Sequence, residues 1–314
     1  MLKNILKIKP SQIDLVKKGF SVNSSEPQSQ HLQSITNAFA VGFNSVIMCD
    51  KSSFNQIELS QKGFYHEGSA MAFALTDCLF LKRPSKFRVI QNIHEWPNFS
   101  YLKHVGVGWV FAKVPWARTF LFNKLDPVRR WLAIDGWGFH DAFFKTTKTL
   151  GKNFPLSLEN EEINVYLQGI GRALWFIKGS EPQLIFKFIS QCPSHYRAAL
   201  WSGVGLAVTY AGCHEKNKFL LDQIKDLSGT YILNLQQGVA FGATAAFKGE
   251  TVSEQTIHTC NVLTGQTVEH LSKLCDDSEG ILPRDGSVKT YLFWQENISK
   301  ELREVSHNVE KIKA

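Results

Sequence analysis

The residues best suited to chemistry are histidines flanked by carboxylates. His140 closes the segment Asp135-Gly-Trp-Gly-Phe-His-Asp141, and Tyr65-His66-Glu67 repeats the theme earlier in the chain. A histidine with a carboxylate nearby can act as a general acid or base, or hold a metal-bound water. Glu67, His66, Asp135, His140 and Asp141 are therefore the candidate catalytic residues. Adjacent residues on a helix point about 100° apart, so His140 and Asp141 are not expected to pair directly. A structural histidine bonded to a neighbouring element is the competing reading. Neither segment resembles the His-Glu-x-x-His zinc motif, and six scattered cysteines lack metal-ligand or disulfide spacing. No metal and no cofactor is expected.

Aromatic residues are abundant, and core packing is their default role. The alternative is a cavity for a long apolar ligand, walled by Trp109, Trp137, Trp175 and Trp201, with Gln168, Arg172 and Gln237 as polar contacts. Indole faces in such a cavity can stabilise a cationic intermediate. Cys213-His214-Glu215 reads as a loop.

The elements that must position these residues are announced by a repeat. A small-residue pattern begins at Gly68, Gly106, Gly136, Gly169, Gly203 and Gly238, with gaps of 38, 30, 33, 34 and 35 residues. Two places on stand Ala70, Gly108, Gly138, Gly171, Gly205 and Ala240. Four places on, His140 alone is not small. The period is the length of one helix-turn-helix unit. Segments such as Gly169-Ile-Gly-Arg-Ala-Leu-Trp-Phe-Ile-Lys-Gly179 favour helix over strand.

The expected fold is all-α, an α-solenoid of about six helical hairpins with the repeat length of tetratricopeptide units, open or closed into a toroid. Pro97, Pro127 and Pro193 lie nine or ten residues ahead of their glycines and suggest a separate preceding helix. A glycine inside a helix costs about 0.8–1 kcal/mol relative to alanine, so close backbone approach must offset it. Positions zero and four share one face, with two and six nearly opposite, which gives two small-residue seams. The residues just before the repeat glycines are Glu67, Val105, Asp135, Gln168, Ser202 and Gln237, a mostly polar stripe that could line a groove or lie on exposed faces.

Three regions are expected: a basic N-terminal segment and connector over 1–34, a helical-repeat domain over 35–285, and a charged C-terminal helix or tail over 286–314. The first residues mix Lys3, Lys7 and Lys9 with too short an apolar run for a secretory signal, which suggests a cytoplasmic protein. The uncharged stretch 227–247 carries Asn234, Gln236 and Gln237 and reads as a buried helix, not a transmembrane span. A net charge of +7 fits a solvated surface. The cluster Lys82, Arg83, Lys86 and Arg88 is the place where an acidic partner or anionic lipid would dock. Nucleic acid fits poorly, with no motif and no aromatic-basic stripe.

Several segments in order resemble a known family. Gly63-Phe-Tyr-His-Glu-Gly-Ser-Ala-Met-Ala-Phe-Ala-Leu75, Gly106-Val-Gly-Trp109, Asp126-Pro-Val-Arg-Arg-Trp-Leu-Ala-Ile-Asp-Gly-Trp-Gly-Phe-His140, Gly169-Ile-Gly-Arg-Ala-Leu-Trp175 and Leu200-Trp-Ser-Gly-Val-Gly-Leu-Ala207 look like the bacterial domain-of-unknown-function family DUF1702. The similarity runs from residue 18 to about His258-Thr-Cys260. Members occur in gene clusters for enediyne polyketides, so the resemblance implies a role near a polyene or related apolar intermediate. It supplies no catalytic residues to carry over. The last repeat, Gln237-Gly-Val-Ala-Phe, departs from the Gly-x-Gly form, and the third unit is followed by the polar insertion Leu150–Glu162. The leading expectation is a protein of secondary-metabolite biosynthesis that binds or processes an apolar small molecule, free or on its carrier protein. The alternatives are an acid-initiated cyclase or isomerase of a polyene or isoprenoid, and a protein-interaction scaffold.

Overall fold

In the computed structural model, residues 5–313 are described apart from 51, 81–86, 152–153 and 156, with side chains through residue 304. The chain is all-helical, with no strand among the described residues. In chain order the α-helices are α1 (Pro10–Ile13), α2 (Pro27–Met48), α3 (Lys62–Leu79), α4 (Arg88–Glu95), α5 (Ser100–Phe111), α6 (Ala117–Leu121), α7 (Trp131–Phe144) and α8 (Thr146–Leu150). They continue with α9 (Asn160–Ile177), α10 (Pro182–Ser190), α11 (Ser194–Tyr210), α12 (Lys218–Ser228), α13 (Ile232–Lys248), α14 (Glu254–Thr264), α15 (Val268–Gly280) and α16 (Val288–Lys313).

The small-residue helices form a row in which α2, α3, α5, α7, α9, α11, α13 and α15 each pack on the next. The shorter helices lie beside this row. Both glycine seams explain the packing. A Cβ on Gly106, Gly136, Gly169, Gly203 or Gly238 would collide with the carbonyl of the residue before the preceding repeat glycine, as Gly169 would with Asp135. A Cβ on Gly108, Gly138, Gly171 or Gly205 would collide with a carbonyl of the following helix. Each row helix is thus approached by backbone on two sides, and burying the seams offsets the helix propensity lost at glycine.

The repeat extends further than the sequence pattern suggested. Gly42 in α2 meets the Tyr65 carbonyl as the later second glycines meet theirs, so Ala40-Val-Gly42 is a further copy with alanine at the first position. Pro97 and Pro193 also behave differently from expectation. They stand at the entry to α5 and α11 themselves, because each glycine lies inside the helix that its proline opens, six residues after Ser100 in α5 and nine after Ser194 in α11. Asp126 does cap its turn: Oδ1 accepts from the Val128 and Arg129 amides at 3.0 and 2.9 Å. Gly179 ends α9 at φ +60°, a conformation that favours glycine.

The described residues near both ends pack into the body. Helix α2 runs through the expected boundary at residue 34, Leu15 and Phe20 are buried, and the Ser21 amide donates to the Ile177 carbonyl at 2.9 Å. The C-terminal helix buries Tyr291, Trp294, Ile298 and Leu302, and the Trp294 indole donates to the Cys275 carbonyl at 3.0 Å. Within 1–34 and 286–314, Leu15, Phe20, Tyr291, Trp294, Ile298 and Leu302 thus contribute to the packed core. Stretch 227–247 lies mostly in α13, and no described helix is long and apolar enough to cross a membrane.

Candidate functional site

A narrow cavity opens where α2, α3, α5, α7, α9 and α11 converge. Phe39, Phe64, Trp109, Phe139, Phe143 and Phe176 supply most of its wall. Glu67 and Arg172 face into it, alongside Thr36 and Tyr210. The empty space between the walls is about 560 Å³ counted out to the mouth, but the centre of a water-sized sphere can occupy only about 40 Å³. That is room for about three water-sized groups, so a longer occupant has to part the aromatic walls.

Glu67 is held by the repeat itself. It precedes Gly68, whose Cβ would collide with the Phe39 carbonyl, so the seam that brings α2 against α3 fixes where the carboxyl emerges. Trp109 Nε1–H donates to Glu67 Oε1 at 3.0 Å, and the same indole stacks on Phe39 with centroids 4.1 Å apart. Burial is the dominant influence on this carboxyl. It raises the pKa from 4.5 to about 7, against the opposing pull of Arg172 and the Trp109 hydrogen bond.

Arg172 lies one turn beyond Gly169 on α9, and its Nη2 stands 2.7 Å from Asp135 Oδ1 of α7. Its guanidinium carbon also lies 5.0 Å from the Phe139 ring centroid. Asp135 is fully buried, and burial outweighs the guanidinium to hold its pKa up at about 6. The three groups form a sequence of carboxyl, guanidinium and carboxylate: Arg172 acts electrostatically on both acids, and the cavity sees Glu67 and Arg172 but not Asp135.

The stripe before the repeat glycines is internal. Glu67, Val105, Asp135, Gln168, Ser202 and Gln237 are all buried within helices, neither on an exposed face nor along an open groove. Only Glu67 reaches the cavity. Gln168 Oε1 instead accepts from Tyr291 Oη–H at 3.2 Å and Gln295 Nε2 at 2.8 Å, which ties α16 to α9. Ser202 Oγ and Gln237 Oε1 are 2.6 Å apart and join α11 to α13.

The histidines sit elsewhere. His140 does pair with Asp141, Nδ1 to Oδ1 at 3.2 Å, contrary to the angular expectation. Helix geometry separates their Cβ directions, yet the side-chain ends still bridge the gap. Asp141 also engages Lys145 at 2.8 Å and accepts from Tyr166 Oη–H at 2.9 Å. Burial pushes His140 down to about 4, which leaves a neutral ring packed beside Trp109 and Phe144. His66 stacks on Phe99 with centroids 4.0 Å apart, and burial takes it down to about 3. Neither imidazole lines the cavity.

Of the four candidate tryptophans, Trp109 alone lines the cavity. Trp175 donates to the Gly212 carbonyl at 3.2 Å, and Trp137 and Trp201 are buried in helix packing. Arg172 is in place, whereas Gln168 and Gln237 lie off the cavity. Sequence reasoning missed Phe39, Phe64, Phe139 and Tyr210 as wall residues. Phe64 and Phe139 stand three before Glu67 and four after Asp135, a helical spacing that could have marked them. Within the basic cluster, Lys82, Arg83 and Lys86 lie outside the described residues, and Arg88 is exposed with its guanidinium 4.7 Å from the Phe73 ring centroid.

With this geometry in view, the family comparison is decisive. The model of the family described as Protein of unknown function (DUF1702) matches residues 1–302. The chain belongs to that family. No curated protein and no solved structure matches it.

Proposed function

We propose that the chain binds a slender, largely apolar molecule in this cavity and exchanges a proton with it at the Glu67 carboxyl. The carrying observation is a single carboxyl, held by an indole N–H at 3.0 Å, that faces aromatic and aliphatic walls with a pKa of about 7. A general acid or base works best when its pKa lies near the working pH. Protonated Glu67 can give its proton to an alkene carbon, and the faces of Trp109 and Phe139 then stabilise the developing positive charge. Ionised, it can take a proton from an activated carbon. Both steps are redox-neutral and suit isomerisation or acid-initiated cyclisation of an unsaturated chain.

The family's occurrence in enediyne gene clusters supports a polyketide-type intermediate and a place in secondary metabolism. Its carrier would be a partner, and the cytoplasm the setting. A scaffold for other proteins would not need a carboxyl aimed into an apolar interior. The test is to recover the apolar molecule that co-purifies with the chain from its own host and incubate it with wild type and Glu67→Gln in deuterated water. Solvent deuterium should enter the molecule with wild type and not with the variant, while both bind it. Equal incorporation would remove Glu67 from the chemistry.

A further inference from the structure

The apolar cavity has a polar neighbour. Ile35, Phe64, Tyr210 and Ala211 also line a second, wider space of about 1040 Å³ counted out to its mouth. The Phe64 and Tyr210 rings meet edge-on at this junction with centroids 5.0 Å apart. Gly63 seats the pair, since a Cβ there would collide with the Tyr210 hydroxyl.

The wall of the second space changes in character. It carries His31, Glu58, Gln61, His214, Thr251 and Gln255; among the described lining residues Glu58 is the one carboxylate, exposed to solvent where it offers a cation little, and there is neither lysine nor arginine. Gln61 Nε2 donates to Ser34 Oγ at 2.7 Å, and Gln255 Nε2 donates to the His214 carbonyl at 3.4 Å. His31 Nε2 lies 2.7 Å from the Ala211 carbonyl and donates to it, which leaves Nδ1 as an acceptor. Burial lowers the His31 pKa and so favours the neutral ring. The lining thus offers both hydrogen-bond donors and acceptors, with no permanent cation to meet an anionic group.

We infer that this polar space is the entrance and head-group site, so that the ligand is amphipathic: an apolar chain threads past Phe64 and Tyr210 towards Glu67, and an uncharged hydroxyl or amide head stays in the polar space. The inference rests on the reading of the inner cavity as a ligand site. It adds the route, the gate and the chemical class of the head.

Four probes that share a twelve-carbon chain test it: dodecanol, N-dodecylacetamide, dodecanoate and dodecylammonium. Binding is measured by calorimetry, and association by stopped-flow tryptophan fluorescence. Dodecanol and the amide should bind at least tenfold more tightly than either ion. Gln255→Trp, at a half-buried position on the wall of the polar space, should slow association at least tenfold with an unchanged Tm. Ala211→Phe at the buried junction should slow association likewise, with a lowered Tm, and either variant suffices if the other fails to fold. Leu206→Trp, which lies on the inner wall only, should abolish tight binding. Equal or tighter binding of dodecanoate or dodecylammonium would overturn the head-group assignment. Unchanged association in a folded Gln255→Trp or Ala211→Phe variant would overturn the route. If no probe binds wild type, or if Leu206→Trp binds as wild type does, the inner-cavity reading itself fails.

Discussion

Burial of the Glu67 carboxyl carries an electrostatic cost that depends on pH. Its pKa is raised from 4.5 to about 7, so the native state binds a proton that the unfolded chain has already lost across that interval. The associated stability is fully present below pH 4.5 and disappears as pH rises to about 7, an effect on the order of 3 kcal/mol. Glu67→Gln removes the titration. The variant should match wild type in Tm near pH 4 and exceed it at pH 8, and a pH-independent difference in thermal melts would contradict the assignment. Asp135→Asn removes a titration of the same sign, so its Tm relative to wild type should also rise between pH 4 and pH 8, but from a lower starting point. It strands the Arg172 guanidinium in the interior, where breaking a buried pair costs about 3–5 kcal/mol, and denaturant titration would show the loss. His140→Ala should lower stability through Asp141 and the neighbouring rings while leaving deuterium incorporation intact. Local motifs marked Glu67, Asp135 and His140 as acid-base candidates and Arg172 as a ligand contact, yet only the fold separates them, since whether a side chain faces a cavity depends on neighbouring helices that helical spacing does not specify.

Among the helices, the seams carry the specificity of assembly. Gly169→Ala forces a methyl group into the Asp135 carbonyl, a backbone atom that cannot swing aside. It should destabilise by at least about 1–3 kcal/mol despite alanine's better helix propensity. Gly280→Ala at the end of α15 meets nothing within 4 Å and should be neutral or stabilising, which makes it the matched control in the same denaturation experiment. This level of organisation was the most legible in the sequence, because backbone contact tolerates only the smallest side chains and marks each helix alike. Copy α2 escaped notice since Ala40 stands where glycine stands elsewhere. In the C-terminal helix, charged residues mask a stripe at Val288, Tyr291, Trp294, Ile298 and Leu302, whose spacing of three and four is that of a buried helix face.

At the scale of the whole molecule, six helices drawn from two-thirds of the chain share one narrow interior, so ligand occupancy and global stability are linked. A molecule that binds only the folded chain stabilises it by RT ln(1 + [L]/Kd). The C-terminal helix supports this interior indirectly through Gln168 and the buried Trp294. A chain ending at residue 286 should therefore melt well below the intact one. Native mass spectrometry of the chain purified from its own host, beside Leu206→Trp with its inner wall filled, tests the central claim most directly. Wild type should carry a stoichiometric apolar molecule that the folded variant lacks. A wild-type chain with no bound molecule, or equal occupancy in the variant, would contradict the assignment of this cavity as the ligand site.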